Sequence, residues 1–191
     1  MREGLDRDVG QPLRAHLLRR RAHGRDPMRC SLSRVVELVT EADLADLLPL
    51  VRGYCEFYEV DPSDEALLAM SRELIADHDK EGLQLIARAE DGRAVGFATV
   101  LWTWSTLSAA RIGVMNDIFV SPDARGSGAA AGLIEACAER CRERGVTQLD
   151  WTTAHDNLRA QKLYDRVGAQ RDERWVDYSL AVSPGATSPD S

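Results

Sequence analysis

The 191-residue chain contains no run of 18 apolar residues, and its first 30 positions hold no apolar stretch of signal-peptide length. Neither a membrane-spanning helix nor a secretory leader is read from it, and a soluble protein of the reducing cytoplasm is expected. Its four cysteines, at positions 30, 55, 137 and 141, make no C-x-x-C pair and no secreted disulfide framework. Cys137 and Cys141, four apart, share a helix face and read as small packed hydrophobes. No cluster of ligating side chains suggests a metal. The chain also lacks G-x-G-x-x-G and any Gly-Lys followed by Ser or Thr, which excludes the dinucleotide fingerprint and the nucleotide-hydrolysing phosphate loop. Internal repeats are absent too.

What is present suits one globular domain: 44% hydrophobic residues and a net charge of −7. The charge is unevenly placed. Residues 1–33 carry eight arginines against four acids, whereas residues 34–182 carry 16 basic and 26 acidic side chains. An acidic body disfavours nucleic acid and favours a cationic small molecule or a basic peptide. Three regions follow from composition. Residues 1–33, interrupted by Gly4, Gly10, Pro12, Gly24 and Pro27, form an Arg-rich extension expected to lack fixed structure. Residues 34–182 form the folded domain, and the Pro- and Ser-containing tail 183–191 is expected to be disordered. No nucleic-acid or membrane partner is expected.

Within the domain the order of elements is readable. Arg34 to Val39 alternates as a strand, and Thr40-Glu41-Ala42-Asp43 offers a helix N-cap with an acid three residues on, opening a helix to about Tyr58. Asp61-Pro62-Ser63 opens a second helix ending near His78. Leu83 to Ala89 and Ala94 to Trp104 flank Asp91-Gly92, a hairpin turn. A strand from about Ile112 to Val120 stops at Ser121-Pro122. A helix with Leu133, Ile134, Cys137 and Cys141 on one face ends at Gly145. Val146 to Thr153 reads as a strand, Asn157 to Val167 as a short helix closed by Gly168, and Trp175 to Val182 as a final strand. This order indicates a three-layer α/β or α+β protein.

The segment from Asn116 to Ala131 carries the chemistry: a strand, a Gly-rich turn, then a helix. A helix begins with N–H groups that have no partner inside it, and its dipole is positive there, so such a junction attracts anions. Gly126, Gly128, Ala129, Ala130 and Ala131 leave almost no side chain over the turn, and Arg125 adds a cation. Taken alone, the loop reads more readily as an ordinary strand-to-helix turn.

Arg125-Gly126-Ser127-Gly128-Ala129-Ala130 resembles the R/Q-x-x-G-x-G/A signature of the GNAT superfamily of N-acetyltransferases. Val120-Ser121-Pro122-Asp123 before it, the helix after it, and Asn157-Leu158-Arg159-Ala160-Gln161-Lys162-Leu163-Tyr164-Asp165-Arg166-Val167-Gly168-Ala169 resemble successive family motifs, and the likeness runs from about Val35 to Val182. It implies a GNAT fold: a central mixed, mostly antiparallel, splayed sheet of six to seven strands with about four helices. It implies acetyl-CoA as co-substrate, with Ile118, Phe119 and Val120 meeting the pantetheine arm through their backbone. Arg125, Gly126, Ser127, Gly128, Ala129, Ala130 and Ala131 would cradle the pyrophosphate, and Asn157 would contact the arm. Tyr164 is the implied proton donor to the departing thiolate, since a phenol of pKa about 10 is matched to a thiol near 8.5. Two positions depart from the family pattern: Ala130 where a second glycine is common, and Ala169 where Phe is.

Met115-Asn116-Asp117-Ile118-Phe119-Val120 is similar to a strand of the polyamine, thialysine and yeast histone-acetyltransferase-like branch, whose members are commonly homodimers. There a glutamate relays the amine proton; this chain has Asn116 at that position, which cannot take one up. Asp117 is the remaining candidate for catalysis or substrate binding, although simple strand alternation points it to the other face from Asn116. Glu56, Tyr58 and Glu59 fall where the family shapes its acceptor pocket. Trp102 and Trp104 either wall that pocket or pack in the sheet, and His155 reads as a loop residue. The expected activity is transfer of an acetyl group to a primary amine of a small cationic molecule by direct attack in a ternary complex. Acetylation of a protein lysine or N-terminus, and a non-catalytic CoA-binding module, are the alternatives.

Overall fold

A computed structural model describes residues 35–181. The expectations for residues 1–33 and 183–191 lie outside the described residues, as do Arg34 and Val182. Strand β1 (Val35–Leu38) runs into Thr40, whose N–H and hydroxyl both donate to the Asp43 carboxylate at 2.9 and 2.7 Å. That local pairing starts a short 3-10 turn (Glu41–Asp43) and then helix α1 (Leu44–Phe57). The Thr40 hydroxyl first, and Arg88 after it, hold the Asp43 carboxyl below the usual carboxylate range. Arg88 bonds Asp43 at 2.6 Å and Asp46 at 2.8 Å, tying the start of α1 to the sheet. Helix α2 (Asp64–Ala76) begins as expected at Ser63, whose hydroxyl accepts from the Ala66 N–H, and ends two residues before His78.

Strands β2 (Gly82–Arg88) and β3 (Ala94–Ser105) form the expected hairpin, with Gly92 at φ +83°. Strand β4 (Ala110–Val120) adds antiparallel to β3. Helix α3 (Ala129–Glu143) crosses back, and Gly145, at φ +69°, ends it, with the Val146 N–H returning to the Cys141 carbonyl at 2.8 Å. Strand β5 (Leu149–Asp150) pairs parallel with β4, and helix α4 (Leu158–Arg166) follows. The sheet order is β1-β2-β3-β4-β5.

Helices cover both faces. Leu47, Leu50, Val51 and Cys55 of α1 pack with Leu67 of α2 on Ile86 and Phe97. Leu133, Ile134, Cys137 and Cys141 of α3 pack on Leu85, Val95, Ala98, Val100 and Met115. Each large aliphatic side chain so buried contributes about 1.5–3 kcal/mol. Close approach of β3 to β4 requires Gly96: a Cβ there would lie 2.6 Å from the Phe119 carbonyl oxygen. Gly96→Ala should therefore cost about 1–3 kcal/mol in chemical denaturation, because backbone rather than a flexible side chain must yield.

The sheet has five strands among the described residues, where six to seven were expected. The two differences lie at one edge. Residues 146–153 form a strand only at Leu149–Asp150, which pairs with Gly113 and Val114; after Asp150 the chain leaves the edge of β4. Residues 175–181 form no strand despite their alternation; Trp175 is 66% and Tyr178 92% exposed. A strand needs an edge to pair with, and a two-residue β5 provides almost none.

Candidate active site

The Gly-rich turn is built as a receptacle for an anion. After β4, a 3-10 turn (Pro122–Ala124) is pinned to the β2–β3 hairpin by an Arg93–Asp123 ion pair of 2.8 Å. The backbone then takes left-handed conformations at Gly126 (φ +82°) and Gly128 (φ +90°). Gly128 is the N-cap of α3 and no side chain caps the helix; its first turn carries no acid. A Cβ at Gly126 would meet nothing within 4 Å, so the space above the turn is open. The Ser127 hydroxyl oxygen is buried without a hydrogen-bond partner. An orphaned hydroxyl, uncapped N–H groups and open space together fit a phosphate-sized anion. Arg125 is exposed and joins no ion pair among the described residues.

Beside this turn the sheet opens. β4 pairs with β3 through Ala98–Ile118, Phe97–Phe119 and Gly96–Val120, but on its other side it meets β5 only at Gly113 and Val114. From Met115 to Val120 that second edge has no ladder; the backbone groups of Phe119 turn to Phe97 of β3, and those of Ile118 and Val120, which alternate to the other edge, are left free to pair with an extended ligand.

The register of β4 corrects the expectation for Asn116 and Asp117. Val100 pairs with Met115 and Thr99 with Asp117, so Asn116 is a bulge with no partner. The extra residue resets the alternation. Met115, Ile118 and Val120 belong to the α3 side, whereas Phe119 belongs to the α1 side with Asp117 two residues before it. Asn116 and Asp117 are therefore not opposed: the Asn116 amide donates to Asp117 Oδ1 at 3.2 Å.

Asp117 faces α1, where the hydroxyl of Tyr54 lies beside its carboxylate. Burial, and after it the Asp117 charge, push the Tyr54 phenol well above the usual range, so it stays a donor. The Tyr54 ring meets Tyr58 edge to face, with centroids 4.9 Å apart. Tyr58 in turn is near enough to Tyr164 to act on its titration. Tyr164 is half-buried and set edge to face against Trp151 at 5.3 Å. Burial raises the Tyr164 phenol above its ordinary value, against an opposing pull from Thr153.

Other expected residues are placed differently. Asn157 caps α4, its Oδ1 accepting from the Ala160 N–H at 3.2 Å, which leaves its amide N–H groups for a ligand. Glu56, Glu59 and His155 are exposed. Trp102 packs in the sheet, its indole N–H donating to the His78 carbonyl at 2.9 Å under a stacked Arg144, and Trp104 is 68% exposed beneath Arg111. Both line or border the far end of the sheet, where Trp102 helps enclose a cavity of about 570 Å³ with Arg111, Arg140 and Arg144. That end is seven residues of β4, about 23 Å, from the Gly-rich turn. Burial pushes the Cys137 and Cys141 thiols up to about 12 and about 11, so they are packed, protonated groups rather than nucleophiles. No group of three or more potential metal ligands occurs among the described residues, and no helix there is long and apolar enough to cross a membrane.

Tyr54, Trp151 and Thr153 were not anticipated from sequence. Tyr54 precedes Tyr58 by one helical turn, a signal visible in the primary structure.

A sequence model of the Acetyltransferase (GNAT) family matches residues 47–169. An uncharacterized N-acetyltransferase of Bacillus subtilis (strain 168), YhfO, is 34% identical over 141 residues, spanning 74% of this chain and 93% of the relative. A thialysine N-epsilon-acetyltransferase of Bos taurus is 30% identical, spanning 68% of this chain and 80% of its own. The crystal structure of a probable acetyltransferase superposes with a TM-score of 0.70 at 28% identity, covering 78% of this chain and 99% of that one.

Proposed function

The chain belongs to the GNAT family of acetyltransferases and is an N-acetyltransferase, and from that premise we propose that it moves the acetyl group of acetyl-CoA to a primary amine of a small cationic molecule by direct attack in a ternary complex. The observation that carries this reading is the uncapped, Gly-rich head of α3, with its orphaned Ser127 hydroxyl, beside the unpaired edge of β4. Acetyl-CoA supplies the thioester carbon. In this reading Gly126 to Ala131 and Arg125 hold its pyrophosphate, the free backbone groups of Ile118 and Val120 align its arm, and Asn157 contributes its amide. Asp117 holds the proton lost by the acceptor ammonium. The freed lone pair forms the C–N bond, the C–S bond breaks, the sulfur takes the proton of the Tyr164 phenol, and the second nitrogen proton, lost as the neutral amide forms, restores that phenol through solvent.

Small amines are favoured by the acidic body and by the thialysine-acetylating relative. A homodimer belongs to the same proposal: Trp175, Val176, Tyr178 and Leu180 form a strand-patterned segment left uncovered in the single chain. The activity is read as thiol release from acetyl-CoA with spermidine, thialysine and a lysine peptide in turn. Release with the small amines and not the peptide is expected. Release only with the peptide would move the chain to protein acetylation, and CoA binding without release on any amine would make it a non-catalytic module.

A further inference from the structure

The far end of the sheet holds a cavity that acetyl transfer does not use. It measures about 570 Å³, the size of a small-molecule site. Trp102 forms part of its wall, and its ring has room beside β4 because residue 113 is glycine: a Cβ there would stand 2.9 Å from Cys141 Sγ and 3.1 Å from the ring. Three guanidinium groups line the same space, and two of them are already answered. Arg140 Nη1 bonds Glu143 at 2.9 Å, and Arg144 Nη1 bonds Asp79 at 2.7 Å while its Cζ stacks 4.8 Å from the Trp102 ring centre. Both stand at the C-terminal end of α3, where a cation complements the helix dipole.

Arg111 is different. It is half-buried, comes from β4 rather than from α3, and joins no ion pair among the described residues. Its Nη1 donates to the Trp102 carbonyl at 3.3 Å, and its Cζ lies 5.0 Å from the centre of the Trp104 ring, so the fork is held in place. Its Nε and Nη2 have no acceptor among the described residues. A planar cation, fixed by its other groups and partly withdrawn from water, offers a two-donor edge that matches a carboxylate.

We propose that this cavity is a second ligand site, separate from the acetyl-transfer site, for a small organic monocarboxylate that pairs with the Nε and Nη2 edge of Arg111 and lays its apolar body against Leu38, Leu83 and Val146. One negative charge is what the cavity accepts. Glu143 and Asp79 already neutralise Arg140 and Arg144, so one guanidinium is left over, and a phosphate dianion would face two carboxylates. The Arg144 hydrogen bond holds the Asp79 carboxyl below the usual carboxylate range, so that pair stays ionised at neutral pH and leaves Arg111 to the ligand. The aliphatic wall selects a ligand with an apolar body over a bare anion. Seven residues of β4, about 23 Å, separate Arg111 from Ile118, so the cavity can fill with CoA bound and whatever amine is acetylated.

The test is nuclear magnetic resonance of the full chain, titrated with benzoate, cyclohexanecarboxylate and isovalerate. The indole N–H of Trp102 reports on the cavity, and that of Trp151, which lies against Tyr164, reports on the acetyl-transfer site. At least one carboxylate should shift Trp102 and leave Trp151 in place, with CoA present or absent. Its neutral amide should bind at least about tenfold more weakly, and inorganic phosphate should not displace it. Arg111→Gln should weaken binding at least about tenfold, the effect of losing hydrogen bonds between charged partners, with wild-type melting because no ion pair is lost. Should Arg111→Gln melt lower, Arg111→Lys decides, since it keeps the charge and loses the planar fork: weakened binding supports the site, and undiminished binding overturns it. Carboxylate binding unchanged in Arg111→Gln, a shift confined to Trp151 and abolished by CoA, or no shift of Trp102 with any of these carboxylates overturns the proposal.

Discussion

Tyr164→Phe is expected to lower kcat about a hundredfold, the lower end of what a positioned general acid contributes, with KM for both substrates within a few-fold of wild type. The variant isolates the proton. Phenylalanine keeps the edge-to-face contact with Trp151 at 5.3 Å and the packing of α4. Melting should therefore change little, whereas Tyr164→Leu, which removes the ring as well, should lower it. The pH profile supplies a second readout. The phenol must be protonated to act, and burial raises it above its ordinary value, so the alkaline loss of kcat should fall at higher pH than a free phenol near 10 would give. The same shift has a stability sign. The folded state holds the proton more tightly than the unfolded one, so its contribution is fully present below the unfolded value and is lost as pH rises through the folded one. An unchanged kcat in Tyr164→Phe would remove the tyrosine from the mechanism.

The candidate site was legible in sequence where it is local. The Gly-rich turn needs only contiguous small residues between a strand and a helix, and the structure shows both glycines in left-handed conformations there. Tyr164 was legible through its motif, since helical spacing alone describes a packed tyrosine equally well. The part that escaped depends on pairing between distant segments. Nothing in Met115-Asn116-Asp117-Ile118 marks a bulge: no glycine or proline interrupts it, and simple alternation set Asn116 and Asp117 on opposite faces. The shift becomes visible only against β3, where Thr99 and Val100 bracket the unpaired Asn116. Tyr54 escaped for a related reason. Its spacing from Tyr58 is plain, but its place against β4 depends on Gly53 seating α1 against Phe119. The edge strands were misjudged because alternation describes a chain willing to be a strand, and it does not say whether an edge is there to receive it. Leu149–Asp150 has only two residues of ladder, and the segment from Trp175 has none.

Ala130→Glu is expected to weaken CoA binding at least about a hundredfold while leaving the melting temperature unchanged or slightly raised. Both effects follow from one position. Ala130 lies in the first turn of α3, after an N-cap, Gly128, that brings no side chain to the free N–H groups, and this turn carries no acid. A carboxylate there complements the helix dipole and is worth about 0.3–1 kcal/mol to the fold. It also occupies the place the pyrophosphate would take. Two like charges about 4–5 Å apart at an effective dielectric of about 20 repel by roughly 3–4 kcal/mol, or about 10² to 10³ in affinity. A variant that binds worse because it is less folded cannot show this combination, so the pair of measurements separates site from scaffold. Ala130→Gln, of similar volume without charge, should fall between wild type and Ala130→Glu, and raising salt should narrow the gap between the two variants because only the repulsion is screened. Isothermal titration with CoA at two ionic strengths reads all of this. Wild-type affinity in Ala130→Glu would mean that the head of α3, with its left-handed glycines and unpartnered Ser127, holds no pyrophosphate.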